Sequence, residues 1–211
     1  VKHFLYFSTI HLYGYNLVGT VTEKTKTLPI YPFAIAHLEA ENIVNRPQKE
    51  ILTTIIRCSN TFGAPYFKNE KCWELVVNDL CKSAFHNGKL IINSSGQSYR
   101  NFIAAEDVTR AIHYLLEIKN AGRVTHIFNL GSSNTIRIID IAKNIQKALK
   151  DGFDYDCPII KNKPSKEMNK PNHFILSTEK IKRLGFISKL GDDEIFSLLN
   201  HCKIKYQLVT K

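Results

Sequence analysis

The residues best suited to chemistry fall at a few spaced positions. Ser8 and Thr9 close one apolar run, and Ser59 and Asn60 close another. Both runs read as buried strands, and residues at the carboxyl ends of neighbouring parallel strands share one crevice, which places these four together without any appeal to homology. Hydroxyls and a carboxamide there can hydrogen-bond a polar ligand. Arg100 adds a guanidinium whose planar fork suits two phosphate oxygens. Phe33 and His37 lie four residues apart in a helical stretch, so they share a face. The imidazole titrates near neutrality, whereas the phenyl ring has no proton to exchange.

The elements that must hold these residues follow from periodicity. Residues 3–8 are nearly continuous apolar, the pattern of a strand buried on both faces. Tyr13-Gly14 opens a polar loop through Lys26. Pro32 sits at the first turn of a helix of about 14 residues that Asn45-Arg46-Pro47 ends. Tyr31, ahead of Pro32, lies off that helix. Residues 51–58 are β-branched and apolar, a second buried strand, and Ser59 to Pro65 read as a loop. A helix is expected over Cys72–His86, a strand at Leu90–Ile92, extended chain at Arg100–Ile103 and a helix over Ala105–Ile118. A strand at Ile127–Leu130 and an amphipathic helix over Ile138–Leu149 follow. A Pro- and Lys-rich loop then runs to about Asn172, and two short helices near Thr178–Leu184 and Asp192–His201 close the chain. Strands alternating with helices imply a parallel sheet with right-handed crossovers, an α/β fold.

Composition narrows the class. With 211 residues, 44% hydrophobic and 23% charged, the chain matches one substantial core, or one core and a small lobe. No apolar run approaches the roughly 20 residues of a membrane span, and Val1 opens on a strand-like run rather than a signal peptide. Without an initiator Met, the chain reads as the later part of something longer. Five cysteines form no C-x-x-C pair and are odd in number, which disfavours a disulfide framework or a zinc site. A reducing cytoplasm, with the thiols as small apolar residues, is the simplest reading. The net charge of +10 has three candidate causes: a Lys-rich proteome bias, an anionic small ligand, or nucleic acid. The densest basic stretch, Lys161 to Lys170, is broken by Pro164 and by acidic or polar residues, and no nucleic-acid reader motif is present.

Six patches in order carry a specific resemblance. They are Phe7-Ser8-Thr9 with Tyr13-Gly14; Phe33 through Glu41; Arg57-Cys58-Ser59-Asn60 with Gly63 and Pro65; Gly96 through Ile103; Asp107-Val108 with Ala111-Ile112; and Ile127 through Gly131. Together the chain resembles the carboxyl-terminal portion of an extended short-chain dehydrogenase/reductase of the NAD-dependent nucleotide-sugar epimerase/dehydratase type. The resemblance implies a Rossmann-like doubly wound parallel sheet, its amino-terminal strands not included, with a smaller α/β substrate-binding lobe. The cofactor domain would take residues 1–62 and about 100–135, and the substrate lobe 63–99 and 136–211. The Gly-rich dinucleotide loop and the acidic residue after a second strand precede the part seen here. The first strand would therefore be a sheet edge that a longer chain covers.

The resemblance also assigns roles. In the family a tyrosine takes a sugar hydroxyl proton while hydride passes to the nicotinamide, and a lysine one turn later activates the phenol. Phe33 stands in the tyrosine position and His37 in the lysine position. Loss of a general base typically costs about 10²–10⁴-fold. Four readings stay open: an inactivated enzyme, His37 as the base of a modified mechanism, a non-catalytic relative or fragment, or simply a packed Phe33 with His37 capping local polar groups. Thr9 matches the Ser/Thr that hydrogen-bonds the reacting hydroxyl; otherwise it satisfies backbone at a strand end. Ser8, His37 and Ser59 match cofactor contacts. Asn60 matches a diphosphate donor, or else serves a turn. Arg100 matches a phosphate-gripping arginine, or else pairs with Asp107 on the surface. Lys170 stands where relatives carry a second phosphate-binding arginine, and Ile91 and Asn93 flank the nucleotide base. Ile10 and His11 occupy the positions of the acidic pair of 4,6-dehydratases, so dehydration is disfavoured. No metal is implied.

The function so implied is an NAD- or NADP-dependent epimerase or reductase acting on a nucleoside diphosphate sugar for polysaccharide or surface-glycan synthesis in the cytoplasm. The alternatives are a catalytically impaired or non-catalytic binder of the same ligand and, remotely, a basic nucleic-acid module. The resemblance further implies a homodimer through a four-helix contact that includes the helix from Phe33, with the helix at 72–86 offering another face.

Overall fold

The structure, a computed structural model, describes residues 2–46, 51–66, 71–117, 126–132, 134–162, 172–189 and 192–206. Three parallel strands form its main sheet: β1 (His3–Thr9), β3 (Leu52–Cys58) and β7 (His126–Leu130), in the order β1-β3-β7. A short strand β2 (Gly19–Val21) and helix α1 (Pro32–Val44) come between β1 and β3 in sequence. β3 is central and β-branched, with Ile55 and Ile56 fully buried. The register sets Phe7 beside Ile56 and Ile56 beside Phe128, and it aligns Ser8 with Arg57 and Thr9 with Cys58. The polar ends of β1 and β3 are therefore level. Double-faced burial fails at β1: Phe4 and Phe7 are exposed, because among the described residues β1 pairs only with β3 and stands at the sheet edge.

Several segments without local strand periodicity become strands through distant partners. β2, inside the expected polar loop, pairs in parallel with β10 (Phe174–Leu176). The expected loop after Ser59 contains β4 (Asn60–Phe62), which pairs in parallel with β6 (Tyr99–Ala104); β8 (Thr135–Arg137) joins β6 antiparallel. β5 (Leu90–Ile92) pairs in parallel with β9 (Ile159–Lys161), inside the expected Pro- and Lys-rich loop.

The helices differ in length from expectation. Cys72 and Trp73 belong to a 3-10 turn at Lys71–Glu74; Leu75 is extended (φ −72°, ψ 137°), and α2 runs Val76–Asn87. α3 spans Ala105–Glu117. α4 spans Ile138–Phe153 and continues past Leu149 because Gly152 leaves room for Phe196; a side chain on Gly152 would collide with that ring. α5 is the single turn Glu179–Lys182, whereas α6 runs for 15 residues, Asp192–Tyr206.

α2, α4 and α6 enclose the larger core with Val77, Leu80, Phe85, Ile145, Leu149, Leu198 and Leu199. Cys81, Cys157 and Cys202 are buried there, and burial pushes the Cys202 thiol up to about 12. A second cluster joins β3, β6, β7 and α3 through Ile56, Ile103, Leu115 and Phe128. A third, smaller one (Ile10, Tyr13, Val21, Phe174, Leu176) underlies the carboxyl end of β1.

Candidate functional site

At the end of β1 the chain makes a 3-10 turn over Ile10–Tyr13. Thr9 caps it, its Oγ1 accepting the His11 N–H at 3.2 Å. That bond satisfies the backbone and leaves the Thr9 hydroxyl proton for donation. Ile10, Leu12 and Tyr13 turn inward and are buried. Gly14 closes the turn at φ 98°, where a Cβ would lie 2.8 Å from the Leu28 carbonyl oxygen, so only glycine fits.

Beneath the turn lies a buried charge network. Arg57 Nε donates to Glu41 Oε1 at 3.0 Å and Arg57 Nη2 to Glu41 Oε2 at 2.7 Å, with the two residues 5% and 3% exposed. Arg57 Nη1 also donates to the Tyr13 hydroxyl at 3.0 Å, and that hydroxyl donates to Asn129 Oδ1 at 2.6 Å. The Asn129 backbone N–H donates to Glu23 Oε1 at 2.9 Å. Burial opposes the guanidinium charge, but Glu41 and Tyr13 outweigh it and raise the Arg57 pKa. The network ties α1, β3, β7 and the turn into one unit.

Above it opens a cavity of about 330 Å³. Ile10, His11 and Gly14 from the turn, Tyr31 just before α1 and Phe33 in its first turn, Asn60 from β4, and Ser98 with Tyr99 through Asn101 of β6 line it. Tyr15, Asn16, Leu17, Asn172 and Phe174 complete the wall. The Phe33 ring stacks on Tyr31 (centroids 5.8 Å, 14° between planes) and meets His11 edge-on (5.4 Å, 75°). Asn60 Nδ2 donates to the Asn101 carbonyl at 2.8 Å, fixing β4 to β6. Asn101, fully buried, donates to the Ser132 and Asn134 carbonyls, each at 3.0 Å. Arg100 does not pair with Asp107, which bonds Arg110 instead. The hydrogen bond recorded for its guanidinium is a long 3.4 Å contact with the Tyr99 carbonyl. The imidazole of His11 is held below the usual histidine range, first by burial and then by Arg100, with an Asn60 hydrogen bond opposing both.

The sequence-derived set is partly reunited here. Phe33, Asn60 and Arg100 share the cavity, with Thr9 directly before its first lining residue. His37 does not line it: one turn beyond Phe33, its Nδ1 hydrogen-bonds the hydroxyl of Tyr6 on β1 at 2.8 Å. Ile91 and Asn93 also lie outside the lining; Asn93 accepts from Asn162 at 2.6 Å. Lys170 falls outside the described residues. Ser8 and Ser59, at the ends of β1 and β3, do not line the cavity either; they are buried, and among the described residues their hydroxyls have no partner. Gly131 leaves space at Ser59, since a Cβ there would stand 3.1 Å from its Oγ. Unpartnered buried hydroxyls are costly, and a polar group lying across the two strand ends would satisfy them. The residues present thus fit a bound dinucleotide. Sequence reasoning undervalued His11 and Tyr31: the family pattern marked His11 by what it lacks, and Tyr31 by its place off the helix. The one signal for both is aromatic character beside a strand end and a helix start.

The parallel sheet, the ligand-sized cavity at its carboxyl edge and the polar strand ends define a Rossmann-type α/β protein. The model of the NAD dependent epimerase/dehydratase family matches residues 1–131, and the chain belongs to that family. It is 28% identical over 201 residues to the human dTDP-D-glucose 4,6-dehydratase, covering 90% of this chain and 53% of that protein. It spans about half the length of the mammalian dTDP-D-glucose 4,6-dehydratases it matches and 28% of the trifunctional Arabidopsis thaliana enzyme RHM3. Among solved structures, the UDP-glucose 4-epimerase of Thermotoga maritima with UDP-glucose superposes with a TM-score of 0.76 at 23% identity, over 97% of this chain and 64% of that one. A mutant UDP-glucuronic acid 4-epimerase of Bacillus cereus, carrying phenylalanine in place of a tyrosine and holding UDP-4-deoxy-4-fluoro-glucuronic acid and NAD, superposes with a TM-score of 0.75 at 20% identity. It is covered over 97% of this chain and 62% of that one. Among the described residues no helix is long and apolar enough to cross a membrane, and no group of three or more His, Cys, Asp and Glu could hold a metal ion.

Proposed function

We propose that this chain forms the nucleotide-sugar site, and part of the nicotinamide dinucleotide site, of an epimerase- or reductase-type enzyme acting in the cytoplasm on a nucleoside diphosphate sugar for polysaccharide or surface-glycan synthesis. The carrying observation is the cavity itself: Arg100, with no carboxylate partner among the described residues, lines it together with Asn60 at the edge of the parallel sheet. A guanidinium fork and a carboxamide suit diphosphate oxygens. Thr9, with its hydroxyl proton free to donate, would orient the sugar hydroxyl that reacts. Ser8 and Ser59 would hold NAD or NADP, which supplies hydride acceptance when bound, and His37 would serve that side of the site through its bond to Tyr6. Lys170 would add a second phosphate contact, with Ile91 and Asn93 beside the base. Residues 1–62 and about 100–135 would form the cofactor portion, and 63–99 with 136–211 the substrate lobe.

The curated relatives include 4,6-dehydratases, but Ile10 is 4% exposed within an apolar cluster and offers no acid or base. That favours epimerisation, reduction or oxidation at a hydroxyl over elimination. A second copy of the chain is the proposed partner, with no nucleic acid: α1 exposes Ile35 and Ile43, and α2 exposes Val76. Phe33 favours a second reading, a relative that binds the nucleotide sugar but turns it over poorly, since its ring carries no proton. The Bacillus cereus tyrosine-to-phenylalanine variant holds both its sugar nucleotide and NAD, which supports ligand binding without that phenol. Calorimetry with UDP-glucose tests the site: binding is expected, and Arg100→Ala should weaken it. Binding that Arg100→Ala leaves unchanged would sink the assignment. Assay of the full-length protein with and without Phe33→Tyr separates the two readings.

A further inference from the structure

Among the described residues lining the cavity, His11 is the only imidazole and Arg100 the only charged side chain. The turn after Thr9 sets His11 with its ring 5.4 Å from Phe33 and 6.4 Å from Tyr31, both edge-on. Its third neighbour is Asn60, which shares the cavity wall and favours the protonated imidazole. Asn60 gives its Nδ2 to the Asn101 carbonyl, so its own side-chain oxygen is the atom free to accept a ring N–H from His11. The ring thus stands against two aromatic walls and lines the same cavity as Asn60 and Arg100.

We propose that His11 is a ligand-binding residue of this cavity, taking up a proton from solvent when an anionic nucleoside diphosphate sugar enters and then standing beside Arg100 as a second cation. This deepens the nucleotide-sugar reading and rests on it. In the free protein the groups around the imidazole favour its neutral form. β6 presents Arg100 and the phenol of Tyr99; the residue before α1 presents the phenol of Tyr31; the loop after Gly14 presents Tyr15; β4 presents only neutral Asn60. No carboxylate lines the cavity among the described residues. Burial and the Arg100 charge both disfavour protonation there. A diphosphate reverses that balance, because its two negative charges offset Arg100 and offer the imidazolium an acceptor. The Asn60 carbonyl suits the protonated ring equally well. Affinity should therefore be higher at acid pH and decline as pH rises through the bound-state pKa.

The test is titration calorimetry of UDP-glucose on the full chain. The diphosphate of this ligand has no group that titrates near neutrality, so protons exchanged on binding report the protein. At about pH 7, where a histidine is close to its titration range, the apparent enthalpy should differ between PIPES and Tris, reporting net proton uptake. The dissociation constant should rise about three- to tenfold between about pH 6 and about pH 8. His11→Asn should bind severalfold more weakly, with a buffer-independent enthalpy and a flat pH profile. A wild-type measurement backs the variant: the His11 ring signal in the NMR spectrum should move to the imidazolium position on saturation. Binding with no proton uptake, or a His11 signal that stays neutral, overturns the proposal and leaves the nucleotide-sugar site standing. No binding at either pH removes that site and this proposal with it.

Discussion

Two polar regions meet at the turn between Thr9 and Gly14, and they are built in opposite ways. Below it, Arg57, Glu41, Tyr13 and Asn129 saturate one another: the guanidinium spends its donors on a carboxylate, a phenol and a backbone carbonyl within the buried network. Above it, among the described residues, Arg100 has no carboxylate partner and Phe33 lies half exposed, while at the strand ends, outside the cavity lining, the buried Ser8 and Ser59 hydroxyls find no partner either. A satisfied buried network fixes geometry; polar groups left open at a cavity await a ligand. The difference separates the residues that hold the turn from those that bind. It also explains why two arginines in one small protein should respond so differently to substitution.

The sharpest way to break that contrast is Arg57→Met. It leaves Glu41 buried and unpaired, and removing one partner of such a pair costs about 3–5 kcal/mol. Chemical denaturation should show that loss, whereas Arg100→Ala should move the midpoint little. Equal losses would mean that the two regions are not distinct. Phe33→Tyr comes next: stability should change by less than about 0.5 kcal/mol. Turnover of the full-length protein should rise by about 10²–10⁴-fold if the phenol is the group that is lacking. An unchanged rate would assign proton transfer elsewhere. Arg100→Ala should weaken UDP-glucose binding by about 10- to 100-fold, the range of a charge-assisted hydrogen bond, with the fold intact by circular dichroism. Gly14→Ala probes the junction of the two regions: a strained φ and the Leu28 contact should cost about 1–3 kcal/mol and reduce binding along with stability.

The smallest effect concerns pH. The pKa values of His3, His11 and His126 are each lowered, chiefly by burial. The unfolded chain then binds more protons than the folded one between the depressed values and the ordinary value near 6.5. Stability from these groups is complete above that value and is lost as pH falls below it. The thermal midpoint of the free protein should decline as pH falls from about 7 to about 5, and His11→Asn should make the decline shallower. A midpoint that rises on acidification would contradict the folded-state environment described for these rings.

Much of the frame was legible because it is written in local pattern. The β-branched run ending at Cys58 and the apolar run ending at Thr9 are strands, and Pro32 does open a helix. The parallel α/β class follows from their alternation. The short strands β2, β4, β9 and β10 were not legible, because three residues set no periodicity and each is defined by a partner far away in sequence. The site divides the same way. Asn60 was identified by residue type at a strand end and Arg100 by its resemblance to the family's phosphate-binding arginine. His37 was placed on the Phe33 face by helical spacing, yet Tyr6, from a different strand, draws its ring away from the cavity lining.

The sequence by itself determined the family, the strand ends that carry Ser8, Thr9, Ser59 and Asn60, and the absence of a proton-bearing ring at position 33, since each depends on residue identity and near-neighbour spacing. Only the tertiary structure decided which cations face the cavity and which are consumed by the scaffold. It gave Asp107 to Arg110 and left Arg100 open, sealed Arg57 against Glu41, and set His11 between Phe33 and Asn60. The reason is physical: a charge acquires its role from the partners and the burial that folding brings to it, and several of those partners, Glu41 for Arg57 and Asn60 for His11, come from other elements of the chain.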